Sequence, residues 1–256
     1  MILSVLDLSV VSGGQSQAEA LRDTLTTAKA AERLGYHRFW VSEHHNIPGV
    51  ASPGPEILLA ALTQITSTIR LGSGGVMLVN HSPLKVAEVF MALEALAPGR
   101  IDLGLGRALG ADQRTGGALR SAGSDAFPHY FALTVAWLLD AAGKEIIGPD
   151  HPLRDVRAHP LGPSHPAVFL LCSSAESAEL AGQAGVGMIY SEFIAQRDGA
   201  EAIAAYRKAF RPSPFLDKPR TGIAVHALAA ETADEARRLD APRRASQFVM
   251  ATGQGR

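Results

Sequence analysis

Short apolar runs alternate with longer amphipathic segments along almost the whole chain, and this alternation limits the fold more than any other feature. Met1–Ser9 reads as a strand carrying Ile2, Leu3, Val5, Leu6 and Leu8. Ala18–Leu34 reads as a helix, with Leu21, Leu25, Ala28, Ala31 and Leu34 at helical spacing and Gly35 as its stop. Further strands are expected at His37–Val41, Ile69–Val76, Ile101–Leu105, Ala167–Leu171, Val186–Tyr190 and Thr221–Ala227. Helices are expected at Glu56–Thr66, from Ser82-Pro83 to about Leu96, and at Phe131–Ala142, Ala175–Ala184, Ile194–Phe210 and Thr232–Ala245. Strand-then-helix repetition predicts a parallel α/β protein. It favours a TIM (β/α)8-type barrel over an open doubly wound sheet. Only seven units are counted, so the eighth β/α unit is expected to be lacking. Gln247–Met250 offers at most a scrap of strand. A Gly-rich loop covers 106–125, and a Pro/His-rich excursion with room for short strands covers 143–166. No composition shift marks a boundary, so 1–256 reads as a single barrel domain.

Composition narrows the function classes. The chain has 256 residues, close to the roughly 250 of one such barrel. Lys and Arg number 24, Asp and Glu 25, for a net charge of −1, which argues against nucleic acid as a partner. The 46% hydrophobic share supports a packed core rather than disorder. Cys172 is the single cysteine, so no internal disulfide and no cysteine-built zinc or iron–sulfur site is expected. No apolar run approaches the ~18–20 residues of a membrane span, and Met1–Val5 lacks a basic leader region. The expectation is a cytoplasmic protein.

In parallel α/β proteins, chemistry sits just beyond the C-terminal ends of the strands. Ser42-Glu43-His44-His45-Asn46 follows the second strand. These histidines suit loop packing, a general base or an anion contact. A metal site is a third option, but the His-x-His of barrel metallohydrolases is absent, since Asp7-Leu8-Ser9 stands in its place. Gly74-Gly75 allows either a barrel-corner bulge or close approach of a planar ligand to bare backbone. His81, before Ser82-Pro83, is readable as part of a helix cap. Arg107 ends the run Leu103-Gly104-Leu105-Gly106 and suits either a surface ion pair or a bidentate phosphate grip. Ser173 and Glu176 have capping-box spacing, and the same helix start, with Ser174 and Ser177, is a possible phosphate cradle. Arg107 and this helix start follow neighbouring strands, so two anion signals face one spot. Glu176 opposes that reading through its charge. Unaided, the residues reach a parallel α/β protein with a phosphate-bearing ligand and go no further.

Four segments then carry a resemblance. Phe39-Trp40-Val41-Ser42-Glu43-His44-His45-Asn46, Ile69 to Leu78, Asn80-His81-Ser82-Pro83-Leu84 and Pro98 to Arg107 resemble the bacterial luciferase-like flavin monooxygenases. The resemblance runs from Leu3 to about Leu239. It implies a (β/α)8 barrel holding reduced FMN at its mouth. O2 would add to give a flavin C4a-hydroperoxide that oxidises an aldehyde or similar small organic substrate. A separate NAD(P)H:flavin reductase would supply the reduced flavin, and a homo- or heterodimer is implied. The family's active-site histidine falls on His44. Its phosphate contacts fall on Arg107, Ser173, Ser174 and Ser177, and its non-prolyl cis peptide beneath the flavin on Gly74-Gly75. Deazaflavin F420 as cofactor, and a non-catalytic flavin-binding or partner-subunit protein, are the alternatives. Cys172 and Val79 depart from the pattern, where glycine and proline are frequent. Members also run longer, with a lid loop expected to begin near Gly253-Gln254-Gly255-Arg256 before an eighth strand and helix.

Overall fold

A computed structural model describes residues 1–144 and 147–252. Eight strand segments run β1 (Val5–Asp7), β2 (Arg38–Val41), β3 (Arg70–Ser73), β4 (Val76–Met77), β5 (Ile101–Gly106), β6 (Ala167–Cys172), β7 (Gly187–Ser191) and β8 (Thr221–Ala224). They form one sheet in the order β1-β2-β3-β5-β6-β7-β8, with β4 also paired to β5. The registered pairs from β1 through β7 are all parallel. β3 and β4 are two pieces of one strand position. The sheet therefore has the seven positions read from the sequence and is nearly closed into a TIM-type barrel, with helices alternating between strands.

The helices are α1 (Gln17–Arg33), α2 (Pro55–Thr63), α3 (Pro83–Leu96), α4 (Gln113–Ala118), α5 (Phe127–Ala141), α6 (Ala175–Gln183), α7 (Glu192–Ala195), α8 (Ala200–Ala209) and α9 (Ala233–Thr252). α1 starts where its capping box dictates. The Ser16 hydroxyl accepts the Glu19 N–H, and the Glu19 carboxylate accepts the Ser16 N–H. It buries Ala20, Thr24, Ala28 and Ala31, small residues that let it lie close to the sheet. Gly35, at φ 78°, turns the chain back into β2 in the left-handed region that L side chains avoid.

Some expectations need correction. Met1–Ser9 shortens to β1, and the 194–210 helix is two, α7 and α8, parted by Gln196 in left-handed conformation. The Gly-rich loop contains α4, capped by Asp112, whose carboxylate accepts the Arg114 and Thr115 N–H groups. α5 begins at Phe127, four residues earlier than expected, with Pro128 in its first turn. No strand lies between α5 and β6 among the described residues. Gln247–Met250 is helical, not strand. Gly253–Arg256, where a lid loop was expected to begin, lies outside the described residues.

The chain groups into two compact units, Met1–Ile223 and Ala224–Arg256. The first holds the barrel. The second contains α9, whose start is capped by the Thr232 hydroxyl accepting the Glu235 N–H and whose exposed face carries an Arg244–Asp240 pair at 3.3 Å.

Barrel packing explains the glycines of β3 and of the gap between β3 and β4. A Cβ on Gly72 would lie 2.6 Å from the Asp102 carbonyl, and one on Gly74 2.5 Å from Leu6. At Gly75 it would lie 2.7 Å from the Gly104 carbonyl. Between β3 and β4 the ladder to β5 lapses, and a side chain replaces it. The buried Ser73 hydroxyl donates to the Gly104 carbonyl at 2.8 Å and accepts the Gly104 N–H at 3.0 Å. Ser73→Ala would strand both groups, at a cost of about 2 kcal/mol. Urea unfolding would check this, and a loss under about 0.5 kcal/mol would contradict it.

Candidate active site

Glu43, one residue beyond the start of the β2 loop, is almost fully buried and gathers three donors. Its Oε1 accepts from Nε2 of His45 and from Nε2 of His81, each at 2.8 Å. Its Oε2 accepts the Met77 N–H at 3.0 Å. Burial alone would push this carboxyl up, but the His81 bond and charge, the His45 bond and the Met77 N–H outweigh it and hold it below its ordinary value. His81 moves the other way. Its bond to Glu43 raises its pKa against the effect of burial, with the charges of Glu43 and Glu56 adding to the rise. His81 is therefore not merely part of a helix cap.

His44 takes no part in this cluster. Its Nδ1 is buried without a hydrogen-bond partner among the described residues. Burial lowers its pKa, only partly offset by the Gly110 backbone and the Glu43 charge, so the ring is neutral at pH 7. Two further buried polar atoms are likewise unpartnered at this end of the barrel, the Ser42 hydroxyl and Oδ1 of Asn80. Asn80 cannot relieve this by flipping, because its Nδ2 donates to the Leu109 carbonyl at 2.9 Å. Composition gave no sign of Ser42 or Asn80 as site residues. Their signal is position, just past the ends of β2 and β4.

The loop after β5 is laced to these residues. The His45 N–H donates to the Gly110 carbonyl at 2.9 Å, and Asn46 bonds Asp112 and Thr115. Arg107 follows Gly106, which pairs with Met77, the residue whose N–H holds Glu43. Register thus links the histidine cluster to Arg107. Gly74-Gly75 lies between β3 and β4 and its peptide bond is cis, where the resemblance put it. The space above each glycine's Cα is already filled by Leu6, Trp40 and Gly104, so barrel packing by itself demands glycine here.

On the other side, Ser174 is the N-cap of α6. Its hydroxyl accepts the Ser177 N–H at 3.3 Å, and the Ser177 hydroxyl donates to the Ser174 carbonyl at 3.0 Å. The cap is therefore Ser174 with Ser177, not Ser173 with Glu176. Ser173 is exposed, and its carbonyl accepts from Arg197. Glu176 instead faces Arg107, at 3.6 Å, in an exposed ion pair. Arg107, Glu176 and Ser177 line one cavity of about 270 Å³, walled by Phe127, Leu170 and Leu171. Cys172, at the end of β6, is buried, which pushes its thiol up to about 12 and makes it inert. Among the described residues no cluster of His, Cys, Asp and Glu has the arrangement of a metal site, and no helix is long and apolar enough to cross a membrane.

Comparison with known proteins fits this geometry. The family profile described as luciferase-like monooxygenase matches residues 1–253. A luciferase-like monooxygenase of Escherichia coli K12 is 44% identical over 90% of this chain and 67% of its own length. An N-acetyl-S-alkylcysteine monooxygenase of Bacillus subtilis is 38% identical over 98% of this chain and 74% of its own. The crystal structure of apo-MsnO8 superposes with a TM-score of 0.88 at 40% identity, over 100% of this chain and 74% of that one. The oxygenating constituent of 3,6-diketocamphane monooxygenase from Pseudomonas putida, solved with FMN, shares the fold, with a TM-score of 0.67 at 20% identity, over 94% of this chain and 70% of that one. The chain belongs to the luciferase-like monooxygenase family and is an enzyme of that class.

An exposed ion pair is worth about 0.2–1 kcal/mol. An anion entering beside Arg107 competes with Glu176, so Glu176→Gln is expected to tighten inorganic phosphate binding about 1.4- to fivefold. Calorimetric titration would read this, and equal or weaker binding would contradict it.

Proposed function

We propose that this chain is a flavin-dependent monooxygenase that takes reduced FMN into the barrel mouth and uses O2 to oxidise an aldehyde or similar small organic substrate. The observation that carries this is the meeting of Arg107 and the α6 N-terminus on one cavity. A guanidinium and a helix N-terminus are independent anion-binding devices, and together they suit a phosphate. Ser173, Ser174 and Ser177 add hydroxyl groups at the same helix start. The ring would lie over Gly74-Gly75.

The residues present fit the cofactor. The cation and hydroxyls suit its phosphate, and the unpartnered atoms of Ser42, His44 and Asn80 suit the polar edge of a ring or substrate. Bound reduced FMN supplies the activation of O2. The chain's own groups do the rest. Arg107, Ser174 and Ser177 bind and orient the phosphate. Phe127, Leu170 and Leu171 exclude water from one side of that cavity. His44, held neutral by burial, accepts a proton on its imidazole nitrogen and returns it. A separate NAD(P)H:flavin reductase would deliver the cofactor, and the chain would work as a homo- or heterodimer. The monooxygenase names of the relatives support this reading, as does FMN in the camphane enzyme.

Arg107→Ala is expected to weaken reduced FMN about 10- to 100-fold in anaerobic calorimetry, the range for losing charge-assisted hydrogen bonds. Unchanged affinity would overturn the phosphate assignment, and binding of F420 in place of FMN would overturn the cofactor. His44→Ala is expected to lower aldehyde-dependent O2 consumption about 10²- to 10⁴-fold while leaving FMN affinity within twofold. Unchanged turnover would remove His44 from the chemistry.

A further inference from the structure

The Glu43 cluster is left unused by that reading, although three donors converge on this buried carboxylate. A carboxylate only accepts hydrogen bonds, so both imidazoles must present N–H at Nε2. Glu43 thereby fixes the tautomer of two histidines at once. If both rings were neutral, the charge of Glu43 would be buried without a counter-charge, which is costly. One extra proton on the pair removes that cost. Its place is Nδ1 of a ring already donating from Nε2. His81 is the better holder, because its side chain is 32% exposed against 13% for His45 and Glu56 adds a second carboxylate. The titratable groups acting on His81 are Glu43 and Glu56, while His44 feels the charges of Glu43 and His45.

We propose that Glu43 is a positioning residue, yoking His45 and His81 into a unit that stores one proton beside His44 and pinning that loop to Met77. The proton sits on Nδ1 of His81 and exchanges with solvent there, its N–H bond breaking as an O–H bond forms on water. Its use in turnover rests on the flavin reading above, where His44 gains a positive charge as it takes up a proton. Glu43 is the neighbouring residue, and its charge favours that form of His44. The stored proton on His81 keeps Glu43 compensated until the site needs it.

Proton-carbon NMR titration of histidine-labelled, ligand-free protein tests the store, with His81 assigned through His81→Gln. Glu43→Gln keeps the volume and an acceptor oxygen but removes the charge. The expected result is a His81 midpoint clearly below that of the unsubstituted protein, because burial is then opposed only by the Glu56 charge. An unchanged midpoint in the folded variant would overturn the proposal. His81→Gln gives a second reading should Glu43→Gln fail to fold. A raised histidine pKa stabilises the fold fully below the unfolded value and loses that effect as pH rises through the folded value. The stability lost in His81→Gln should therefore be larger at pH 6 than at pH 9 in urea unfolding. A loss equal at both pH values would contradict the store. None of these readouts involves flavin, so failure of FMN to bind would sink the flavin reading and leave the store standing.

Discussion

Everything at the mouth depends on a buried charge lower in the barrel. Asp102 on β5 has no solvent exposure, and an isolated carboxylate there would not be tolerated. Arg38 from β2 donates to it at 2.9 Å, Arg70 from β3 at 2.6 Å, and the Trp40 indole N–H at 3.0 Å. Three strands are thus tied by one carboxylate. Removing either arginine would leave this buried charge only partly compensated, more harmful than losing an ordinary contact. Phe169 on β6 joins through an edge contact with Trp40 and lies beneath the Arg38 guanidinium. The knot leaves no space for a side chain at Gly72, whose Cβ would meet Asp102 and Trp40.

That knot sets the height at which each strand ends. With Trp40 opposite Gly72 and Gly72 opposite Asp102, the residues three to five positions further on emerge together at the C-terminal face. Glu43 to His45, Met77 and Arg107 are then neighbours by register, not by loop chance. The mouth divides into a histidine side, organised by Glu43, and a side where Arg107 faces Glu176 at the start of α6. Each is built from ends of regular elements, which is how a site keeps its geometry without a ligand.

Much of this was legible in the sequence. Seven strand positions, their order and the placing of Arg107 beside the α6 start follow from apolar periodicity and from the rule that chemistry lies past strand ends. What escaped was long-range and polar. Ser73 bridging to Gly104 and Asp102 gathering two arginines involve partners some thirty or more residues apart, and no local pattern marks them. His81 looked like a cap residue because Ser82-Pro83 follows it, yet a partner 38 positions earlier decides its state. The α6 cap shifted by one residue because Ser173, Ser174 and Ser177 offer two overlapping registers of the same chemistry, and only packing chooses between them. Gly74-Gly75 was legible as special, while the occupants of the space around it, Leu6 and Trp40, were not.

We propose that the mouth holds a phosphate-bearing flavin between Arg107 and α6, with its ring against Gly74-Gly75. A crystal structure of the protein soaked with FMN tests it most directly. The phosphate is expected within hydrogen-bond distance of Arg107 and the Ser174 and Ser177 hydroxyls, with Glu176 swung away and the ring at the cis peptide. A phosphate seated elsewhere, with Arg107 still facing Glu176, would contradict it.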